Sequence, residues 1–136
     1  MRLLLAILVA GVVAAGVSAA DPVPPVPQDK LIDRLIEGLK DPDPDVRQNL
    51  AVALAKVGPA AVEPLVTALS DSLPERRAGV AYALGQIGTP ARSALPKLLD
   101  ALDDKEVDVR RQAAYAISRL VPTGSVKPTQ PPGGGK

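Results

Sequence analysis

Three related stretches determine the fold: VRQNLAVALAKVG at 46–58, RRAGVAYALGQIG at 76–88 and VRRQAAYAISRLV at 109–121. They superimpose at offsets of 30 and 33 residues, and one Arg and two Ala occupy the same positions in all three. Self-similarity at a period of roughly 20 to 50 residues is the signature of repeat architectures. The central part of the chain is therefore predicted to be an array of three repeats.

A second apolar pattern precedes each of these stretches, in LIDRLIEGLKD at 31–41, VEPLVTALSD at 62–71 and LPKLLDALDD at 95–104. Two Leu at i and i+4 recur in each, a spacing that puts both on one face of a helix. The stretch that follows carries its apolar residues at helical spacing too, in the first copy at 46, 50, 53, 54 and 57. Each repeat is thus predicted to be helix, short turn, helix, and the fold class all-α.

The turn inside the first repeat carries Asp41, Asp43 and Asp45. Their spacing matches the opening of a calcium-binding loop, but Val46 and Val52 stand where such a loop needs Gly and Glu. Asp beside Pro instead ends one helix and caps the next. No metal site is predicted.

Paired amphipathic helices at this period resemble HEAT repeats, particularly the short bacterial HEAT-like units also found in phycobilisome lyase-type proteins. The resemblance covers residues 31–121. It implies a short right-handed α-solenoid of three stacked repeats, at 31–58, 59–88 and 89–121.

The most specific element of the resemblance is an Asp in the turn followed six residues later by an Arg in the second helix. In the family these two positions form a ladder of hydrogen bonds between successive repeats. One departure is Arg76, where the other copies carry Val46 and Val109. The resemblance implies a structural ladder made of Asp41, Arg47, Asp71, Arg77, Asp104 and Arg110.

Residues 1–20 have the layout of a secretory signal peptide: a positive start, an uncharged apolar stretch and small residues before Asp21. Cleavage after Ala19 or after Ala20 satisfies the small-residue rule equally well. The alternative is an uncleaved membrane anchor through residues 3–20, at the lower length limit for spanning a bilayer. We expect export to the periplasm or the medium, with membrane attachment only if this segment is retained.

Two segments flank the repeats. Residues 21–30 begin with DPVPPVPQ, a Pro-rich linker that favours extended backbone. Residues 122–136 combine four Pro with four Gly, a composition typical of a disordered tail.

Composition excludes several classes of function. The chain has no His and no Cys, which removes His-based triads, thiolate nucleophiles, disulfides and the ordinary zinc, haem and iron-sulfur ligand sets. A net charge of +1 and only two Tyr provide neither a basic footprint nor stacking surfaces for nucleic acid. We expect no catalytic residue, no cofactor and no nucleic-acid partner.

The outward face of the second helices is the candidate binding surface. Its equivalent positions read Gln48/Ala78/Arg111, then Val52/Tyr82/Tyr115, then Lys56/Gln86/Arg119, so the two Tyr stand in register on adjacent repeats. Tyr and Arg are favoured interface anchors. Inherited packing between neighbouring helices explains the two Tyr equally well. The residues predicted to contact a partner are Val52, Lys56, Tyr82, Gln86, Arg111, Tyr115 and Arg119.

These observations together favour an exported, non-catalytic scaffold that docks an unknown protein or peptide on the second helices. One alternative is an accessory protein of the phycobilin-lyase kind, which would need a deep basic and aromatic pocket. Another is a membrane-tethered structural protein. Self-association is left open, because three repeats leave two end faces without neighbours.

Overall fold

A computed structural model of the chain describes residues 24–125, which form six α-helices, two 3-10 helices and no strand. The 3-10 helices, Gly58–Ala61 and Thr89–Ala94, lead into the first helices of the second and third repeats. The predicted all-α solenoid of helix pairs is confirmed. The pairs are α1 (Gln28–Gly38) with α2 (Pro44–Val57), α3 (Val62–Ala68) with α4 (Pro74–Ile87), and α5 (Leu95–Ala101) with α6 (Val107–Leu120).

Helix α1 begins at Gln28, so the last three residues of the predicted linker, 28–30, are helical. Pro27 stands at its N-cap, and the carbonyl oxygen of Pro27 accepts the backbone N–H of Leu31 at 3.1 Å. Pro is tolerated there because the first N–H groups of a helix have no partner within it. The predicted signal peptide, residues 21–23 of the linker and residues 126–136 of the tail lie outside the described residues.

The turn inside each repeat uses the same Asp position. Oδ1 of Asp41, Asp71 and Asp104 accepts the backbone N–H two residues later, at 2.8 to 3.0 Å. In the first repeat Asp43 is also the N-cap of α2, accepting from the N–H groups of Asp45 and Val46. The Asp-rich turn that resembles a calcium loop therefore caps a helix.

Glycine marks the passage from one repeat to the next. Gly58 and Gly88 end α2 and α4 with φ of 77° and 75°, a conformation that side chains disfavour. Pro44–Ala68 has the length and hydropathy of a membrane span, but Gly58 divides this stretch into helices of two repeats. This apolar stretch is therefore divided between α2 and α3 and is not one continuous helix.

The core lies between the two helices of each repeat and between successive repeats. The first of the two Ala positions that the second helices share is fully buried at Ala51 and Ala81, where another repeat packs against it. The same position is exposed at Ala114, where the described stack ends. Val46 departs from the predicted apolar stripe, since it is 39% exposed. The large side chains that are fully buried are Leu39, Leu54, Leu65, Val80, Leu84, Leu98, Val109 and Leu120.

Arg77 joins the second repeat to the third. Its Nε and Nη2 donate to Oδ2 and Oδ1 of Asp104 at 2.8 and 2.9 Å, while Nη1 donates to the carbonyl oxygens of Asp71 and Ser72 at 2.8 and 3.1 Å. At 9% exposure it is the one charged residue that is buried within residues 24–125. A two-pronged guanidinium–carboxylate pair combines charge with a fixed geometry. One side chain thus braces its own turn and holds the next repeat.

Arg47 and Arg110 occupy the same position in the first and third repeats. Nη1 of each donates to two backbone oxygens of its own turn at 2.6 to 3.0 Å. Neither donates across a repeat boundary within the described residues. Of the six-residue ladder that the sequence predicts, the structure therefore contains one cross-repeat step, between Arg77 and Asp104.

Arg76 takes the place of Arg47 at the first repeat boundary, where the ladder predicts a hydrogen bond between Arg47 and Asp71. Its Nη1 donates to Oδ2 of Asp71 at 2.6 Å, and its Nη2 donates to Oε2 of Glu37 in α1 at 2.9 Å. Asp71 is thus held by an Arg of its own repeat rather than by Arg47. Glu37 also pairs with Lys40. The residue that departs from the repeat pattern ties the first repeat to the second.

Hydrogen bonds keep the two turn carboxylates ionised. The Arg77 guanidinium lowers the pKa of Asp104, with help from the backbone N–H two residues later. The backbone N–H of Leu73 is the main cause that lowers the pKa of Asp71, and the Arg76 side chain adds to it. Both carboxylates therefore favour the folded state in their charged form.

We expect Asp104→Asn to lower the free energy of unfolding by about 2 kcal/mol at neutral pH, because a buried guanidinium loses its counter-charge. The stabilisation by Asp104 is complete above its ordinary pKa of 3.8 and is lost as pH falls through that value toward the lower folded-state pKa. Urea unfolding between neutral pH and about pH 3 should therefore show a smaller pH dependence in the variant. Asp103→Asn removes the same charge at an exposed neighbour and serves as the control; equal losses in both variants would contradict this account.

Candidate binding surface on the second helices

The second helices form the inner face of the stack. Helix α4 packs along both α2 and α6, whereas the first helices of successive repeats contact one another much less. Closer approach on one side curves a solenoid toward that side. We use the name inner face for the side of the stack formed by α2, α4 and α6.

The predicted partner-contacting residues all lie on these helices and keep some exposure. Val52 is 38% exposed, and Lys56, Arg111 and Arg119 are exposed as well. The other three, Tyr82, Gln86 and Tyr115, are half-buried. All seven predicted residues are therefore at least partly accessible to solvent.

The two tyrosines pack against each other across the second repeat boundary. Their ring centroids lie 5.4 Å apart with an interplanar angle of 27°. The hydroxyl of Tyr82 accepts from Nε2 of Gln48 at 3.3 Å, and that of Tyr115 accepts from Nε2 of Gln86 at 3.1 Å. Each tyrosine thus links its repeat to the preceding one. The packing interpretation holds for both rings, and their partial exposure leaves them available for contact as well.

Gly85 makes room for this arrangement. A Cβ atom placed on Gly85 would lie 2.9 Å from Cε1 of Tyr115 and 3.0 Å from Cα of Ala116. The equivalent position in α6, Ser118, is exposed, and no other repeat packs against it within residues 24–125. The missing side chain therefore allows α6 and the Tyr115 ring to approach α4 closely.

A groove of about 460 Å³ crosses the inner face near the N-terminal ends of the second helices. Two of the predicted contact residues, Tyr82 and Arg111, line it; the other five do not. Gln48, Ala78 and Arg111, which occupy equivalent positions in the three repeats, all line the groove. The alignment of the repeats therefore indicated part of the groove lining. Further lining residues include Arg47, Gly79, Glu75, Glu106 and Asp108.

The groove carries more negative than positive charge. Three carboxylates line it, from Glu75, Glu106 and Asp108, against the guanidinium groups of Arg47 and Arg111. Arg111 pairs with Asp108 at 2.7 Å in an exposed contact that contributes little to stability. None of these three carboxylates is among the residues that the sequence predicted to contact a partner. The charged side chains of the lining can bind polar and basic groups of a partner, and the Tyr82 ring offers apolar contact area.

No group of three or more Asp or Glu side chains is placed to hold a metal ion within residues 24–125. The groove lining combines charged, amide and aromatic side chains without a nucleophile paired to a base.

Comparison with known families gives one match. Residues 32–118, more than half of the chain, match the family model described as HEAT repeats. The match spans all three helix pairs. A search of curated proteins finds no match.

We expect Gly85→Ala to destabilise the protein by about 1 kcal/mol, because overpacking against Tyr115 and the α6 backbone outweighs the gain in helix propensity. Chemical denaturation followed by circular dichroism measures the change. Ser118→Ala, at the same repeat position on the exposed side of α6, should be neutral or slightly stabilising. A Gly85→Ala variant more stable than the wild type would show that the close approach at Gly85 is not restrictive.

Proposed function

Because the chain belongs to the HEAT repeat family, we propose that it is a non-catalytic scaffold that docks a segment of a partner protein in the inner-face groove. HEAT repeats are generally protein-interaction scaffolds. The groove beside the half-buried ring of Tyr82 carries the proposal, because it combines apolar area with several charged groups on a rigid helical face.

The charges of the groove suggest the chemistry of the docked segment. Three carboxylates outnumber two guanidinium groups, and Arg47 already donates to two carbonyl oxygens of its own turn. A segment with basic or amide side chains and one apolar side chain for Tyr82 complements this lining. An accessory protein of the phycobilin-lyase kind would favour a basic and aromatic pocket, and the groove is acidic with a single aromatic ring.

We propose further that the protein works outside the cytoplasm. The layout of residues 1–20 supports this proposal, with cleavage after Ala19 or Ala20. A protein retained through residues 3–20 would present the same groove from a membrane surface. The two versions differ in the mass of the accumulated product.

Partner docking is tested with Ala78→Arg, which places a long charged side chain in the groove. Ala78 lines the groove, and its side chain takes no part in the hydrogen bonds of either tyrosine. We expect a partner captured from envelope and secreted extracts by the wild-type protein to be lost from this variant. Circular dichroism and thermal unfolding confirm that the variant stays folded.

The control for this experiment is Ala60→Arg, an exposed substitution in the 3-10 helix before α3. Ala60 is not among the residues that line the groove. The control should capture the partner as the wild type does. Equal capture by all three proteins would place the binding site outside the groove and contradict the proposal.

Processing is tested by expressing the full chain and measuring the intact mass of the product outside the cytoplasm. We expect a protein that begins at Ala20 or Asp21. A full-length product in the membrane fraction would instead support the anchored alternative. A full-length product in the cytoplasm would contradict export.

A further inference from the structure

The third repeat exposes apolar residues at positions that earlier repeats bury. Leu102 is 36% exposed, whereas the equivalent Leu39 and Leu69 are 0% and 7% exposed. Leu99 and Val107 beside it are 54% and 56% exposed. Solenoids usually close such an end with a polar face. We call the surface formed by Leu99, Leu102, Val107, Arg110 and Ala114 the C-terminal end face.

Arg110 on this face has the arrangement that lets Arg77 hold another repeat. In both residues Nη1 donates to two carbonyl oxygens of the preceding turn, at 2.7 and 3.0 Å for Arg110 and at 2.8 and 3.1 Å for Arg77. The remaining donors of Arg77 bind Asp104 of the next repeat. The same donors of Arg110 have no acceptor within residues 24–125. Arg110 is therefore oriented toward a repeat that would follow.

Asp41, at the other end of the stack, is arranged like Asp104. In both residues Oδ1 accepts the backbone N–H two positions later, at 2.9 and 3.0 Å. In Asp104 this arrangement presents the carboxylate to the Arg of the preceding repeat. Asp41 accordingly presents its carboxylate toward a repeat that would precede it.

The residue five positions after the Asp decides which partner the carboxylate takes. After Asp71 this residue is Arg76, which binds Asp71 from its own repeat. After Asp104 it is Val109, and Asp104 pairs across the repeat boundary. Val46 stands at this place after Asp41. Asp41 therefore has the local sequence of the carboxylate that pairs with another repeat.

The ends of the described chain lie away from these groups. Asp41 follows the C-terminal end of α1, and Arg110 lies in the first turn of α6. The chain enters α1 and leaves α6 at the opposite edge of the stack, about 16 Å away along an 11-residue helix. The entry and exit of the described chain therefore do not obstruct either group.

We infer that a second copy of this chain docks head to tail, with the C-terminal end face of one copy against the first repeat of the next. Arg110 of one copy pairs with Asp41 of the other and extends the step that Arg77 and Asp104 form inside the chain. Pairing of two C-terminal end faces would instead bring Arg110 toward Arg110. A head-to-tail contact uses two different surfaces, so it adds copies in an open series. This inference concerns a surface distinct from the groove and does not rest on the proposed function.

Sedimentation velocity tests the inference on the protein that cells accumulate from the full chain. We expect the weight-average sedimentation coefficient of the wild type to rise with concentration beyond the value of a dimer. Arg110→Asp alone and Asp41→Arg alone should each weaken association at least tenfold, because each brings like charges together. An equimolar mixture of the two variants should associate again, since each copy then meets the opposite charge on its neighbour.

Three results would overturn the inference: a wild type that stays monomeric at every concentration, a wild type that stops at a dimer insensitive to Asp41→Arg, and a mixture that fails to regain association. Lys97→Asp, which makes the same change of charge at a site between the second and third repeats, should associate as the wild type does. Loss of association in this control would assign the effect to net charge and also overturn the inference.

Substitution of Arg110 also removes two hydrogen bonds to its own turn, so circular dichroism accompanies every variant. Ala114→Arg provides a second disruption that touches no internal hydrogen bond. Ala114 is exposed on α6, one helical turn after Arg110, and a long side chain there would separate two copies. A folded Ala114→Arg variant that associates like the wild type would overturn the inference by itself.

Discussion

The arrangement of the third repeat depends on one buried guanidinium. Arg77 donates to the backbone of its own turn and to both oxygens of Asp104, so a single planar group sets the distance and the rotation between two repeats. Apolar stacking of Leu, Val and Ala supplies most of the attraction but little direction. The ion pair supplies direction, because a two-pronged contact tolerates few geometries. The Tyr82 and Tyr115 rings stack across this same boundary.

Helix α4 shows how a repeat adapts when it has neighbours on both sides. It carries Gly79 against Leu39, which directly follows α1, and Gly85 against Tyr115 of α6, so close contact is possible in both directions. It also carries Arg76, which reaches back to the first repeat. The two boundaries are therefore built differently, one through an Arg and a Glu, the other through Arg77 and stacked rings. In a stack of three repeats, only the middle repeat has a neighbour on both sides. Helix α4 therefore carries side chains suited to two different neighbours.

At the end of the described stack, the third repeat exposes positions that are buried in the first two repeats. Positions that bury Ala51 and Ala81 expose Ala114, and the Leu that closes the first two repeats is partly exposed at Leu102. Both effects arise because no further repeat packs against the third one within residues 24–125. Repeat proteins usually add a polar cap at this point. Within residues 24–125, the third repeat therefore ends in an exposed apolar face that carries a pre-arranged Arg.

The sequence by itself determined the repeat unit, the six helices and the capping of α2 by Asp43, because these depend on interactions within a few residues of each other. Apolar spacing, Asp before Pro, and Gly at the helix ends each act locally and can be read along the chain. The start of α1 at Gln28 was missed because a Pro at a helix entry also reads as linker. Only the tertiary structure decided which Asp meets which Arg, since Arg76 competes for Asp71 across space while Asp104 remains available to Arg77. It likewise decided the groove, whose carboxylates come from the second and third repeats and share a surface only once α4 and α6 pack side by side.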